Sequence, residues 1–195
     1  MEDFNTALAI SFGVIFVAEL GDKSQLMALT FATRFKALPV IIGITVATSV
    51  VHLASVALGV GLGAALPTGW IALIAGLAFL GFGLWTLRGD SLTDEERRKA
   101  ERTTRSAIIA VSIAFFLAEL GDKTMLATIT LATQHGWFGT WLGSTVGMVA
   151  ADALAIGVGR ILGRRLPERT IRYGAGALFG ICGVWLLVDA VHQLT

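Results

Sequence analysis

The stretch FVAELGDKSQLMALTFAT at residues 16–33 returns one hundred positions later, without a gap, as FLAELGDKTMLATITLAT at residues 116–133. Eleven of the 18 positions are identical. Fainter echoes continue at the same offset: Gly43 and Gly143, Thr45 and Thr145, Gly59 and Gly159, Gly63 and Gly163, Pro67 and Pro167, Phe79 and Phe179, Trp85 and Trp185. The chain is therefore two copies of one unit. Each copy sets an acid, a glycine, a second acid, a lysine and a hydroxyl residue inside an otherwise apolar run.

The surroundings of that motif are those of a membrane protein. Of the 195 residues, 55% are hydrophobic and 15% charged, against about a quarter charged in soluble domains. The mean hydropathy is +0.76. Glycines number 23 against 3 prolines, which suits closely packed membrane helices. Apolar stretches fall at approximately 5–33, 39–62, 70–88, 106–134, 139–162 and 170–190. They are continuous rather than alternating, so they read as helices, which satisfy their own backbone in lipid. The expected fold is an all-α integral membrane protein of six transmembrane helices. Its domains are a first three-helix repeat at 1–88, a charged linker at 89–105 and a second three-helix repeat at 106–195. Thr93 and Glu96 in the linker read as a capping box. The start, Met1-Glu2-Asp3, lacks the basic residues of a signal peptide. One cysteine, Cys182, leaves no internal disulfide, no CxxC chemistry and no thiolate metal site. It is expected to be simple packing.

Three spans per copy is an odd number, so the second copy enters the membrane from the opposite face. That is an inverted-topology repeat, common among secondary transporters. Alternating connections put Arg34, Lys36, Arg88, Arg97, Arg98, Lys99, Arg102, Arg105, Arg160, Arg164, Arg165, Arg169 and Arg172 on one side and no Lys or Arg on the other. The positive-inside rule makes that side cytoplasmic and both termini extracytoplasmic. The remaining two basic residues, Lys23 and Lys123, lie inside the motif.

An ionised side chain at the bilayer centre costs at least about 2.5–3.5 kcal/mol. Glu19, Asp22, Lys23, Glu119, Asp122 and Lys123 must therefore face one another, bind an ion or line water. Glu19 and Asp22, as i and i+3, are expected on one helical face, and inverted symmetry carries the second pair towards the first. Stretches 5–33 and 106–134 are too long for a ~30 Å core at 1.5 Å per residue. A break at Gly21 and Gly121 would absorb the excess and expose half-helix ends beside the acids. Four carboxylates with the hydroxyls of Ser24 and Thr124 make an oxygen-rich metal site suited to Ca²⁺ or Mn²⁺. The two lysines leave a net charge of −2, which one divalent cation neutralises. Gln25 and its counterpart Met125 are candidate auxiliaries pointing at the site, and the thioether favours the softer Mn²⁺.

Two E-x-G-D-[K/R]-[T/S] motifs, one per half, resemble the hallmark of a family of membrane cation/proton exchangers. That family includes the Golgi calcium/manganese exchangers and a bacterial manganese exporter. The resemblance covers the whole chain, and every motif position is filled. It implies export of Mn²⁺, Ca²⁺ or both from the cytoplasm across the cell inner membrane, with the motif acids as the metal site and protons as the coupling ion.

Other residues carry weaker signals. Asp152 lies mid-span opposite His52 under the offset, a pair able to relay protons; Asp189, His192 and His135 lie near outer span ends. Gly59 with Gly63, Gly159 with Gly163, and Gly139, Gly143 and Gly147 have the spacing of helix contacts, not of phosphate loops. Trp70, Trp137 and Trp141 read as an aromatic belt. No catalytic residue and no resident cofactor is expected. The expected partners are divalent metal ions and the lipid bilayer, with homo-oligomers left open and nucleic acid excluded by a net charge of +1. An exporter of small organic cations or amino acids, and a cation channel without proton coupling, remain as alternatives.

Overall fold

The computed structural model describes residues 4–65, 67–88, 107–162 and 168–194. Among them are eight helices: α1 (Phe4–Glu19), α2 (Lys23–Arg34), α3 (Ala37–Ala65), α4 (Thr68–Arg88), α5 (Ala107–Glu119), α6 (Lys123–Gln134), α7 (Trp137–Leu162) and α8 (Glu168–Leu194). Four in each half correspond one to one at the offset of 100. The apolar stretches read from the sequence match these helices within a few residues, with α8 running on to Leu194. The linker, with Thr93 and Glu96, lies outside the described residues.

Helix segments Ala37–Ala65 and Trp137–Gly159 are each long and apolar enough to cross a membrane. Phe4–Glu19 and Lys23–Thr33 meet the same test as a pair bent by 74°. Gly69–Trp85, Ala107–Glu119 and Phe179–Leu194 are shorter apolar helical segments. Polarity is distributed inside out. Leu53, Leu77, Leu84, Ile113 and Ile181 are exposed, whereas Glu19, Asp22, Glu119, Asp122, Lys123 and Asp152 are buried. Helices that bury their mid-span charges and expose their leucines are solvated by lipid.

Glycine sets the helix contacts. Helices α1 and α7 run side by side from the same end, where Phe4 and Phe138 stack at 5.6 Å. A Cβ on Gly139 would meet the Phe4 carbonyl oxygen at 2.9 Å, one on Gly143 would strike the Leu8 carbonyl, and one on Gly147 would meet that of Phe12 at 2.6 Å. Every fourth carbonyl of α1 thus lies on every fourth residue of α7, as small-residue membrane contacts require. The same contact recurs between α3 and α5, where a Cβ on Gly43 would lie 2.9 Å from the Ile108 carbonyl oxygen. Gly59 and Gly63 meet Ile129 and Thr133 of α6. Gly159 meets Leu29 of α2.

Helices α4 and α8 are equivalent to each other and cross antiparallel. Gly76 opposes Gly183, and Gly83 opposes Gly176. The offset of 100 exchanges the two pairs, since Gly76 corresponds to Gly176 and Gly83 to Gly183. The rings of Phe79 and Phe179 meet edge-on at 5.7 Å, and Thr48 Oγ1 donates to Met148 Sδ at 3.5 Å. Residues related by the repeat therefore touch at the centre of the molecule. The expected contacts of Gly59, Gly63, Gly139, Gly143, Gly147 and Gly159 are present, and Gly163 lies outside the described residues; Trp141 is drawn inward, its Nε1 donating to the Ser49 carbonyl at 3.0 Å.

Candidate ion-binding site

Each long apolar stretch breaks at its motif. Helix α1 ends at Glu19 and α5 at Glu119. Gly21 and Gly121 follow with φ of 77° and 78°, a region that side-chain-bearing residues enter at a cost. A Cβ on Gly121 would meet nothing within 4 Å, so the requirement for glycine there is conformational, not steric. The Asp22 N–H donates to the Glu19 carbonyl at 3.1 Å, and Asp122 N–H to Glu119 at 3.2 Å. The chain restarts with Asp22 and Asp122 as extended N-cap residues of α2 and α6. Positive helix ends consequently lie at both aspartates and favour their charge.

This corrects one expectation. Glu19 and Asp22 do not share a helical face, because the left-handed glycine ends α1 between them. They still converge, since Ser24 Oγ lies in hydrogen-bond contact with Glu19 Oε1 and 3.2 Å from Asp22 Oδ2. Its one proton can serve only one of them at a time. In the second copy Thr124 Oγ1 donates to Glu119 Oε2 at 2.8 Å.

Neither aspartate caps its own helix. Each is instead met by the lysine of the other copy: Lys123 Nζ pairs with Asp22 Oδ1, and Lys23 Nζ stands 3.4 Å from Asp122 Oδ1. Both Glu19 Oε2 and Glu119 Oε1 are buried and have no hydrogen-bond partner among the described residues. Asp152 lies within electrostatic reach of Glu19, Asp22 and Glu119; it is fully buried, and neither of its oxygens has a hydrogen-bond partner among the described residues. The structure thus gathers the motif acids, the two lysines, Ser24, Thr124 and Asp152. His52 is buried on α3, and its Nδ1 has no hydrogen-bond partner among the described residues.

No three Asp, Glu, His or Cys side chains among the described residues stand close enough to hold one metal ion; lysines occupy the aspartates instead. Gln25 and Met125 each contact the break itself. The break frees the N–H of each motif glycine, and the side chain four residues on takes it: Gly21 N–H donates to Gln25 Oε1 at 2.8 Å, and Gly121 N–H approaches Met125 Sδ at 3.2 Å. Gln25 Nε2 also donates to the Ala151 carbonyl at 2.9 Å, tying the first break to α7 beside Asp152. No local sequence pattern signals this cross-helix bond.

The family model described as "Divalent cation/proton antiporter GDT1" matches the chain twice, over residues 7–94 and 107–194. The chain belongs to the GDT1 divalent cation/proton antiporter family. The two matched segments are themselves offset by 100, so each half carries the family's unit. A Vibrio cholerae protein named "Putative manganese exporter" is 35% identical over 91% of this chain and 88% of the relative. A "GDT1-like protein" of Synechocystis sp. is 30% identical over 92% of the chain and 95% of the relative. The Arabidopsis thaliana "Protein PAM71, chloroplastic" is 31% identical over 91% of the chain and 55% of the relative. No solved structure matches. GDT1 proteins are transporters rather than enzymes, and divalent cations are their substrates, not cofactors.

Proposed function

We propose that this GDT1 protein is a six-span secondary transporter of the cell inner membrane that exports Mn²⁺, or Ca²⁺, in exchange for protons. The observation that carries this reading is the exchange of lysines between the two motifs at paired helix breaks. Four acids with two hydroxyls are an all-oxygen donor set, which suits hard divalent cations. The lysines hold the two aspartates when no cation does. Arrival of the cation displaces them towards the neighbouring acids, and the net charge of −2 is neutralised by metal. When the metal leaves, protons take its place, because several buried like charges cannot all remain ionised together. Metal and protons then alternate on one set of carboxylates, with Asp152 and His52 as auxiliaries.

The topology in this reading is an inverted repeat of 1–88 and 106–195, with the 89–105 linker cytoplasmic and both termini outside. The antiparallel crossing of the equivalent helices α4 and α8 supports it. So does the bend between α1 and α2. Sixteen and 12 helical residues at 74° reach end to end roughly 34 Å instead of about 42 Å, close to a ~30 Å hydrocarbon core. An organic cation would want an apolar pocket beside the acids. A cavity of about 470 Å³ does exist, but Ile10, Phe79, His135, Trp185 and Asp189 line it rather than the motif carboxylates.

Replacing Glu19, Asp22, Glu119 and Asp122 singly by their amides tests the reading. Each variant is expected to stay folded and to lose metal export in reconstituted vesicles. Normal transport by two or more of the four would overturn the shared site.

A further inference from the structure

The two halves repeat in sequence, yet they differ where the site meets each side of the membrane. On α7 the buried positions Thr140, Ser144, Met148 and Asp152 recur every four residues and form one stripe. On α1, Ser11, Ile15 and Glu19 do the same, all at 0% exposure. Because α1 and α7 run parallel from the end marked by Phe4 and Phe138, both stripes lead from that end to the acids. Ser144 stands roughly 12 Å above Asp152, as does Ser11 above Glu19.

The hydroxyl oxygens of Ser11, Thr140 and Ser144 are fully buried and have no hydrogen-bond partner among the described residues. Buried hydroxyls without partners are costly and call for an explanation. The equivalent stripes in the other half are Val40, Ile44, Thr48 and His52 on α3, with Val111, Phe115 and Glu119 on α5. All three hydroxyl residues are thus replaced by branched aliphatics: Ser11 by Val111, Thr140 by Val40 and Ser144 by Ile44. Those aliphatics belong to one apolar cluster with Phe31 and Phe115.

We propose that Ser11, Thr140 and Ser144 line the route by which the divalent cation passes between the carboxylate site and the side of the membrane that holds the N-terminus, while Val40, Ile44, Val111 and Phe115 seal the opposite side. This rests on the transport reading above. A cation shedding water in a low-dielectric slab needs oxygen atoms in exchange, and hydroxyls supply them; an aliphatic constriction excludes ions by dewetting. The seal lies on the side of Lys36 and Arg88, the cytoplasmic side by charge. The conformation described here is therefore closed to the cytoplasm, with its polar route directed outward.

The triple variant S11A/T140V/S144A removes the three hydroxyls without adding bulk. Loss of unpartnered buried hydroxyls is neutral or stabilising, so its thermal stability should equal or exceed the parent's. Equilibrium Mn²⁺ binding to the purified protein should be unchanged, because the site is intact. The Mn²⁺ transport rate in proteoliposomes should fall by roughly tenfold or more, as a cation loses its oxygen contacts on the way. T140V alone, nearly isosteric, should lose roughly threefold or more on the same grounds and provides the test if the triple variant fails to fold. Transport within about twofold of the parent overturns the route, as does a fall in Mn²⁺ binding equal to the fall in rate. E19Q separates this from the parent reading. A dead E19Q beside a normal triple variant removes the route alone, whereas normal transport by E19Q and a second motif-acid amide removes the carboxylate site itself.

Discussion

Lys123 of the second motif forms a buried ion pair with Asp22 of the first. The pair joins the two halves across 101 residues, at the point where both long helices are broken. Under the proposed transport reading, the lysine competes with the cation for the aspartate.

Removing that competitor has two opposite consequences. Lys123→Met leaves Asp22 buried without its partner, and breaking a buried pair costs about 3–5 kcal/mol. Metal-free K123M should therefore melt earlier. The site also becomes more negative by one charge, so Mn²⁺ should bind more tightly and restore much of the lost stability. Thermal melts with and without Mn²⁺ read both effects, and a variant whose melt ignores Mn²⁺ would contradict the competition.

The break glycines and the packing glycines should fail differently. Gly121→Ala meets no neighbour but forces a left-handed backbone on alanine, at about 1–2 kcal/mol. Gly143→Val drives a side chain into the Leu8 carbonyl, an overpacking cost of roughly 1–3 kcal/mol or more, and should part α1 from α7. Gly13 and Gly157 have open space and helical backbones, so alanine there should be tolerated. Denaturation midpoints of the four variants should rank accordingly.

Gln25 should prove a brace. Gln25→Met, which installs the residue of the other copy, loses the bond to the Ala151 carbonyl and should cost about 0.5–1.5 kcal/mol. Equilibrium Mn²⁺ affinity should change little. A loss of affinity as large as that of Glu19→Gln would instead make Gln25 a ligand.

Topology is open to direct labelling. On a Cys182→Ala background, a cysteine at Glu95 should be protected from an impermeant thiol reagent in intact cells and labelled after lysis. Rapid labelling from outside would place the linker outside and reverse the assignment of sides.

Much of this was legible in the residues. The repeat and the apolar runs are one-dimensional signals, and the excess length of 5–33 pointed to Gly21 before any backbone angle was known. The pairing of Glu19 with Asp22 on one helical face was misread because a single positive φ cancels helical periodicity locally. The same break leaves an N–H that the side chains of Gln25 and Met125 take, a contact that helical periodicity does not carry. The nearness of Asp152 to the motif acids depends on how α7 packs against α1 and α2, which no local pattern carries. Ser11, Thr140 and Ser144 look like ordinary small polar residues of membrane helices until each is set against its aliphatic counterpart in the other half.

Antiport on one site requires that metal and protons share the carboxylates. Proteoliposomes containing the purified protein and a lumenal pH dye, given a Mn²⁺ gradient directed inward, report this in one trace. The account predicts that Mn²⁺ entry acidifies no lumen but drives protons out, so that the lumen turns alkaline. An imposed pH gradient should likewise set the direction of Mn²⁺ flux, and Glu19→Gln should abolish both movements. Mn²⁺ entry indifferent to the pH gradient and to a protonophore, with no change in lumenal pH, would contradict antiport and identify a channel or uniporter.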